Sequence, residues 1–129
     1  MHNKRILVID DDPGVLSSLE LLLRDEGYDV QTSTKDGDFV DSAVRTNPPD
    51  LIVLDILLSG HDGRTICKRL KREEHSRDIP VILISAHPNA RAMSVDAGAD
   101  GFVAKPFDID TLLQEIERLI QRGRVTSDE

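Results

Sequence analysis

The sequence has a single cysteine, fewer basic than acidic residues and no long apolar run, and each of these shortages excludes a class of protein. Because Cys67 is the only cysteine, no internal disulfide can form. The 16 lysines and arginines are outnumbered by 24 aspartates and glutamates, which gives a formal net charge of −8. An acidic chain repels a phosphate backbone, so we expect no direct binding of nucleic acid. No apolar run approaches the length of a membrane span, so we expect a cytoplasmic protein without membrane contact.

The length of 129 residues, with 39% hydrophobic and 31% charged residues, is typical of one globular domain. A chain of this size can bury enough apolar surface to fold without disulfides. The domain is predicted to span residues 1–122, and the polar segment 123–129 is predicted to be a frayed C-terminal tail.

Short apolar runs alternate along the chain with segments in which apolar residues recur at helical spacing. The apolar runs comprise residues 6–9, 51–54, 81–84 and 102–104 and resemble strands that are buried on both faces of a parallel sheet. The more polar residues 28–32 are predicted to form a further strand, the second in the chain. Asp12 and Pro13 suit the N-cap and the first position of the first helix, which Gly27 ends. Residues 60–63 are predicted to form a loop, and Cys67 is predicted to be a small core residue of the third helix.

Five strands that alternate with five helices indicate an α/β fold of the (βα)5 type. Helical crossovers join parallel strands with right-handed connections, which places helices on both faces of a doubly wound five-stranded sheet. In such sheets ligands bind beyond the carboxyl ends of the strands. Functional residues are therefore expected directly after the strands.

Side chains suited to a cation and a phosphate follow four of the predicted strands. They are Asp10, Asp11 and Asp12 after the first strand, Asp55 after the third, Ser85 after the fourth and Lys105 after the fifth. Converging carboxylates repel one another, and a site that gathers them usually pairs them with a cation. Mg²⁺ fits best, because it needs few protein ligands and keeps waters that a phosphate can replace. Taken alone, the three consecutive aspartates favour a helix cap with solvated neighbours over a binding site; the recurrence of polar groups at the other strand ends of the same sheet edge favours a site.

Five motifs, taken in order, resemble the receiver domains of two-component response regulators, including those of the chemotaxis-regulator type. They are residues 6–13 (ILVIDDDP), 49–55 (PDLIVLD), 60–63 (GHDG), 79–86 (IPVILISA) and 98–107 (GADGFVAKPF). The ordered set is highly specific and covers nearly the whole chain, from residue 4 to about residue 122. The resemblance implies a flavodoxin-like fold with strand order 2-1-3-4-5.

The resemblance implies that Asp55 is the phosphoacceptor of a Mg²⁺-dependent reaction, in which Mn²⁺ could substitute for Mg²⁺. Asp10 and Asp11 are implied to hold the metal, together with Asp55 and the backbone carbonyl of Leu57. The chemistry is consistent with these roles, because a carboxylate can form a covalent aspartyl-phosphate. Phosphoryl transfer then requires mainly positioning and neutralisation of charge.

Three further residues acquire roles from the resemblance. Lys105 is implied to pair with the phosphoryl group, and its bond to Pro106 is implied to be cis. Ser85 takes the position of a hydroxyl that bonds the phosphoryl group, and Phe102 takes the position of the aromatic switch residue. Both are implied to transmit phosphorylation to the face made by the fourth helix, the fifth strand and the fifth helix.

The resemblance also implies partners. The phosphoryl donor is a phosphohistidine of a sensor histidine kinase or of a histidine phosphotransfer protein. The signal is passed to a downstream effector protein or to a fused output domain. The receiver can also form a dimer through the face made by the fourth helix, the fifth strand and the fifth helix. No effector domain follows the last helix, which leaves a single-domain regulator, a relay intermediate and a receiver cut from a longer protein as alternatives.

Several positions depart from the common pattern of receiver domains. Ser59 stands where proline is usual, and the segment of residues 86–97 is about two residues short. Leu57 is apolar and His87 lies near the rim of the site. Because Leu57 cannot orient an attacking water, we expect a fairly long-lived phosphoryl group.

Two other function classes compete with the signalling switch, which catalyses its own phosphorylation and dephosphorylation but is not otherwise an enzyme. One is a phosphatase or phosphotransferase with an aspartyl nucleophile, which needs a second acid and usually a cap over the substrate. The chain has no room for a cap and no obvious spare acid beyond Asp12. The other is an interaction module that has lost the chemistry, and it is disfavoured because all the required residues are present.

Overall fold

A computed structural model describes residues 4–34, 37–58 and 61–128 of the chain. Its main sheet has five strands, which are β1 (Arg5–Ile9), β2 (Asp29–Ser33), β3 (Leu51–Asp55), β4 (Val81–Ser85) and β5 (Gly101–Ala104). The helices between and after them are α1 (Pro13–Asp25), α2 (Gly37–Thr46), α3 (Gly63–Arg72), α4 (Ala90–Asp96) and α5 (Ile109–Asp128). All neighbouring strands are parallel, in the order β2-β1-β3-β4-β5, which confirms the predicted fold class.

Successive residues of the strands point to opposite faces of the sheet, and both faces are covered. Leu7 and Ile9 of β1 belong to a core shared with α2, α3 and α4, which includes Val40 and Ile66. Ile6 and Val8 belong to a second core, shared with α1 and α5. The continuous apolar runs of β1, β3 and β4 follow from this burial on both sides.

The ends of the helices follow the local sequence. The carboxylate of Asp12 accepts a hydrogen bond of 2.9 Å from the backbone N–H of Gly14, and Pro13 is the first helical residue of α1. Gly27 follows that helix with a φ of +98°, a conformation that residues with a side chain rarely adopt. These start and stop signals are confirmed.

Two segments differ from the prediction. Residues 61–63 are not a loop, because Leu57–Leu58 and His61–Asp62 form a short antiparallel pair and Gly63 is the first residue of α3; residue 60 lies outside the described residues. The backbone of α5 continues as helix through Asp128, where a frayed tail was expected from residue 123. The division into a domain of residues 1–122 and a tail stays a prediction.

Ser59, which stands where proline is usual in receiver domains, lies outside the described residues. Within the described ranges, no helix combines the length and the apolar character that a membrane crossing requires. Cys67 is fully buried in α3, and burial raises the pKa of its thiol to about 11, in agreement with a role in packing.

Candidate functional site

Three carboxylates converge at the carboxyl edge of the sheet, where β1 and β3 end side by side. Asp10 is fully buried, Asp55 is 5% exposed and Asp11 is exposed. Each offers one ligand oxygen, and these oxygens lie within 4.8 Å of one another. The structure therefore brings together the aspartates that the sequence placed after two separate strands, in a group that could hold a metal ion.

Lys105 bridges the two buried carboxylates. Its Nζ donates hydrogen bonds of 3.0 Å to Asp10 Oδ2 and 3.1 Å to Asp55 Oδ2. The remaining oxygens accept backbone hydrogen bonds, Asp10 Oδ1 from the N–H of Asp12 at 3.0 Å and Asp55 Oδ1 from the N–H of Leu57 at 3.1 Å. Buried carboxylates need such donors, and here each oxygen has one.

The electrostatics of the site follow from burial and proximity. Burial and the charge of Asp10 raise the pKa of Asp55, while Lys105 and the N–H of Leu57 act against that rise. Burial disfavours the Lys105 ammonium, but its hydrogen bond to Asp10 and the charge of Asp55 outweigh this effect and raise the pKa of Lys105. An added cation at this site would favour the ionised form of Asp55.

Gly63 allows the start of α3 to approach the backbone of Asp55 closely. Its N–H donates a hydrogen bond of 2.7 Å to the carbonyl of Ile56. A Cβ at this position would overlap the carbonyl oxygen of Asp55 and would lie 2.8 Å from the Cα of Ile56. The helix is capped by Asp62, whose carboxylate accepts a hydrogen bond of 2.9 Å from the N–H of Arg64. A glycine is thus required where the chain that follows β3 enters α3.

Ser85 and Lys105 are linked through the backbone. Ser85, the last residue of β4, is 1% exposed, and its carbonyl accepts a hydrogen bond of 2.8 Å from the N–H of Lys105. The peptide bond between Lys105 and Pro106 is cis, as the resemblance implied. The hydroxyl oxygen of Ser85 accepts a hydrogen bond of 3.0 Å from the N–H of His87, and the O–H of Ser85 can still donate.

Phe102 lies on β5, which is separated from β3 by β4, and its side chain is half-buried. It packs against the core shared with α2, α3 and α4, and the guanidinium carbon of Arg91 lies 5.3 Å from the centre of its ring. Phe102 thus lies on β5 next to α4, with an arginine as neighbour, and its role as a switch residue stays a prediction.

A second group of potential ligands, Asp41, Glu73 and His75, lies between α2 and the end of α3. Arg45 lies 3.1 Å from Asp41 and 3.7 Å from Glu73, and its hydrogen bond lowers the pKa of Asp41. Since cationic side chains of the protein already neutralise these carboxylates, the group is best explained as an electrostatic link between two helices.

The sequence prediction identified most of this geometry, and the structure adds three residues to it. Gly63 and Asp62 shape the start of α3, and their Asp-Gly pair after the third strand is a signal in the sequence. Arg91 was missed because its contact joins residues of different elements. The role of the Leu57 carbonyl as a metal ligand stays a prediction, since the structure shows the N–H of Leu57 bound to Asp55.

In chemical terms, the site presents a buried carboxylate next to a fixed ammonium and to two further carboxylates. The carboxylate of Asp55 can act as a nucleophile, and the Lys105 ammonium can neutralise negative charge on a group that is transferred to it. All the clustered ligand atoms are carboxylate oxygens, which suit a hard divalent cation.

Comparison with known proteins agrees with this chemistry. The family model for the response regulator receiver domain matches residues 6–117. The chain is 39% identical over 120 residues to the DNA-binding dual master transcriptional regulator RpaA of Synechocystis sp., which covers 92% of this chain and 49% of that protein. It is 31% identical over 127 residues to the alkaline phosphatase synthesis transcriptional regulatory protein PhoP of Bacillus subtilis, which covers 97% of this chain and 52% of that protein.

Among solved structures, the signal receiver domain of a signal transduction histidine kinase from Syntrophus aciditrophicus is similar, with a TM-score of 0.83 and 31% identity. That match covers 92% of this chain and 90% of the other chain. The chain spans about half the length of the two curated relatives described above.

Proposed function

The chain belongs to the receiver domain family of two-component response regulators, and on that premise we propose that it is a phosphorylation switch with Asp55 as the acceptor. The observation that carries the proposal is the environment of Asp55. Its carboxylate is buried at the end of β3, with the Lys105 ammonium on one oxygen and the N–H of Leu57 on the other. A carboxylate in this setting is oriented and partly neutralised before any donor arrives.

In the proposed reaction, an oxygen of Asp55 forms a bond to phosphorus while the bond from phosphorus to the donor nitrogen of a phosphohistidine breaks. Lys105 stands 3.1 Å from Asp55, and its charge can stabilise the oxygens of the transferred group. The O–H of Ser85 can donate a hydrogen bond to the phosphoryl group, since the oxygen of Ser85 only accepts in the present structure.

The acidic group fits a magnesium ion. Its ligand atoms are oxygens from three aspartates, Asp10, Asp11 and Asp55, and burial together with Asp10 raises the pKa of Asp55. These residues, with the carbonyl of Leu57, would hold the ion. When bound, Mg²⁺ supplies positive charge that favours the ionised acceptor and offsets charge on the phosphoryl oxygens.

The partners follow from the same proposal. A sensor histidine kinase or a histidine phosphotransfer protein supplies the phosphoryl group, and an effector protein or a fused output domain reads the α4-β5-α5 face. One curated relative is described as DNA-binding, but this chain aligns with only 49% of it. The expectation that the receiver chain itself does not contact nucleic acid therefore stays a prediction, supported by its net charge of −8.

The proposal is tested by incubating the protein with acetyl phosphate and MgCl₂ and mapping the adduct by mass spectrometry. We expect one phosphoryl group on Asp55, formed only with a divalent metal. Asp55→Asn should remain unmodified, and Asp25→Asn, which changes an aspartate at the end of α1, serves as the matched control. Modification that persists in Asp55→Asn or in excess chelator would contradict the proposal.

A further inference from the structure

Arg91 is the second residue of α4, and its side chain covers an aromatic ring rather than an acid. The guanidinium carbon lies 5.3 Å from the centre of the Phe102 ring, within the range of a cation–π contact. Arg91 is exposed, and it forms no salt bridge with any residue that the structure describes. The contact thus joins the start of α4 to the second residue of β5.

The ring of Phe102 contacts the hydrophobic core and the guanidinium group of Arg91. Phe102 is half-buried and packs against the core formed with α3 and α4. The exposed Arg91 adds an attraction to the face of the ring. A cation that binds the ring in this orientation stabilises the orientation relative to any other in which the contact is lost.

A short chain of hydrogen bonds joins this contact to the candidate site. The hydroxyl oxygen of Ser85 accepts from the N–H of His87, and the carbonyl of His87 accepts from the N–H of Ala90, each at 3.0 Å. Ala90 is the first residue of α4 and precedes Arg91. If the hydroxyl of Ser85 turns to a phosphoryl group, the bond to His87 is the one that it can give up. The segment that leads to Arg91 then loses one of its restraints.

We propose that Arg91 is a positioning residue that holds Phe102 in its half-exposed orientation and so opposes the switch to the phosphorylated state. This inference rests on the proposed function and concerns its regulation. The contact shifts the equilibrium only by as much as it is weakened in the phosphorylated state. A cation–π contact at an exposed site corresponds to about a two- to fivefold change in an equilibrium constant.

The test uses beryllofluoride with MgCl₂ as a phosphoryl mimic and follows amide spectra of the full chain during a titration. Arg91→Gln should lower the half-saturating concentration about two- to fivefold, because the resting orientation loses a stabilising contact. Arg91→Lys keeps a cation and should lie between Arg91→Gln and the parent. Arg77→Gln removes an exposed arginine that follows α3, and it controls for the loss of one positive charge. That loss alone should weaken the binding of an anion.

A second set of titrations tests whether the effect of Arg91→Gln requires the aromatic ring of Phe102. In the background of Phe102→Leu, Arg91→Gln should have no effect on the half-saturating concentration beyond that of Arg77→Gln. The inference is wrong if the half-saturating concentration of Arg91→Gln equals or exceeds that of Arg77→Gln. It is also wrong if Arg91→Gln has the same effect in the parent and in the Phe102→Leu background. If the parent protein does not bind beryllofluoride at all, the result contradicts the proposed function, and the inference about Arg91 is then wrong as well. Binding by the parent without an effect of Arg91 refutes the inference alone.

Discussion

Replacing Lys105 by methionine should destabilise the fold in metal-free buffer by about 2–3 kcal/mol at neutral pH. Methionine keeps most of the length of the side chain but removes the ammonium that bridges Asp10 and Asp55. Two buried carboxylates would then face each other without a cation. We therefore expect a loss of stability that depends on both metal and pH.

The magnitude follows from the geometry. Two hydrogen bonds of 3.0 and 3.1 Å are lost; hydrogen bonds to charged groups contribute about 1.5–3 kcal/mol each, and removing one partner of a buried ion pair costs about 3–5 kcal/mol. The side chain of Lys105 is 23% exposed, so water replaces part of the interaction and reduces the expected loss to about 2–3 kcal/mol. For a domain of this size, each kcal/mol lowers the melting temperature by about 3–5 °C.

The sign of the pH dependence follows from Asp55. Its pKa is raised in the folded protein, so the folded state binds a proton more readily than the unfolded state. Stability therefore falls as the pH rises from the ordinary carboxyl range through the raised value. Without Lys105 that pKa should rise further, and a lower pH should recover part of the lost stability.

The assay is thermal and urea unfolding of the parent and Lys105→Met, in EDTA and in MgCl₂, across the pH range from 5 to 8. Lys68→Met, which changes an exposed lysine of α3, is the matched control, and we expect it to change stability by less than about 0.5 kcal/mol. Mg²⁺ should recover more stability in Lys105→Met than in the parent, because the ammonium no longer competes for the carboxylates. A Lys105→Met variant as stable as Lys68→Met in EDTA would refute the reasoning.

Three further predictions concern the site. Asp11→Ala should lose the rise in melting temperature that Mg²⁺ gives the parent, which is worth about 2.7 kcal/mol at a hundredfold excess over Kd; an equal rise in the variant would show that Asp11 does not hold the ion. Gly63→Ala should cost about 1–3 kcal/mol of unfolding free energy because a Cβ would overlap the backbone of Asp55, whereas Gly14→Ala, whose Cβ meets one side-chain oxygen at 3.2 Å, should cost less. Leu57→Asn should speed the decay of the aspartyl-phosphate, since Leu57 is 56% exposed and an amide can orient an attacking water; decay at the rate of Leu21→Asn, which changes another exposed leucine, would speak against this explanation.

The sequence could predict the sheet and the position of the site because both depend on repeated local patterns. Apolar runs that are buried on two faces indicate parallel strands, and parallel strands end at one edge. Asp10, Asp55 and Lys105 therefore had to lie near one another, and the structure places the Lys105 ammonium between the two carboxylates. The family resemblance supplied the expected roles and the expected strand order.

Other features depend on tertiary contacts that a local pattern does not contain. The strands Leu57–Leu58 and His61–Asp62 have two residues each, too few to show a period. Leu22 continues the helical spacing of α1 but is 40% exposed, since the core is filled by Leu16, Leu19 and Leu23. The contact of Arg91 with Phe102 depends on how α4 lies against β5, which the composition of either segment does not reveal.

The most direct test of the central claim, that a change at Asp55 is transmitted to a distant face, is a pair of backbone amide spectra with and without beryllofluoride and Mg²⁺. We expect shifts at residues 85–97 and 102–107, beyond the residues that touch the ligand, because Ser85 is bonded to the segment before α4 and Phe102 lies against that helix. Asp55→Asn should show none of these shifts. Shifts confined to Asp10, Asp11, Asp55 and their immediate neighbours would contradict the account, because the protein would then bind a phosphoryl group without switching the α4-β5-α5 face.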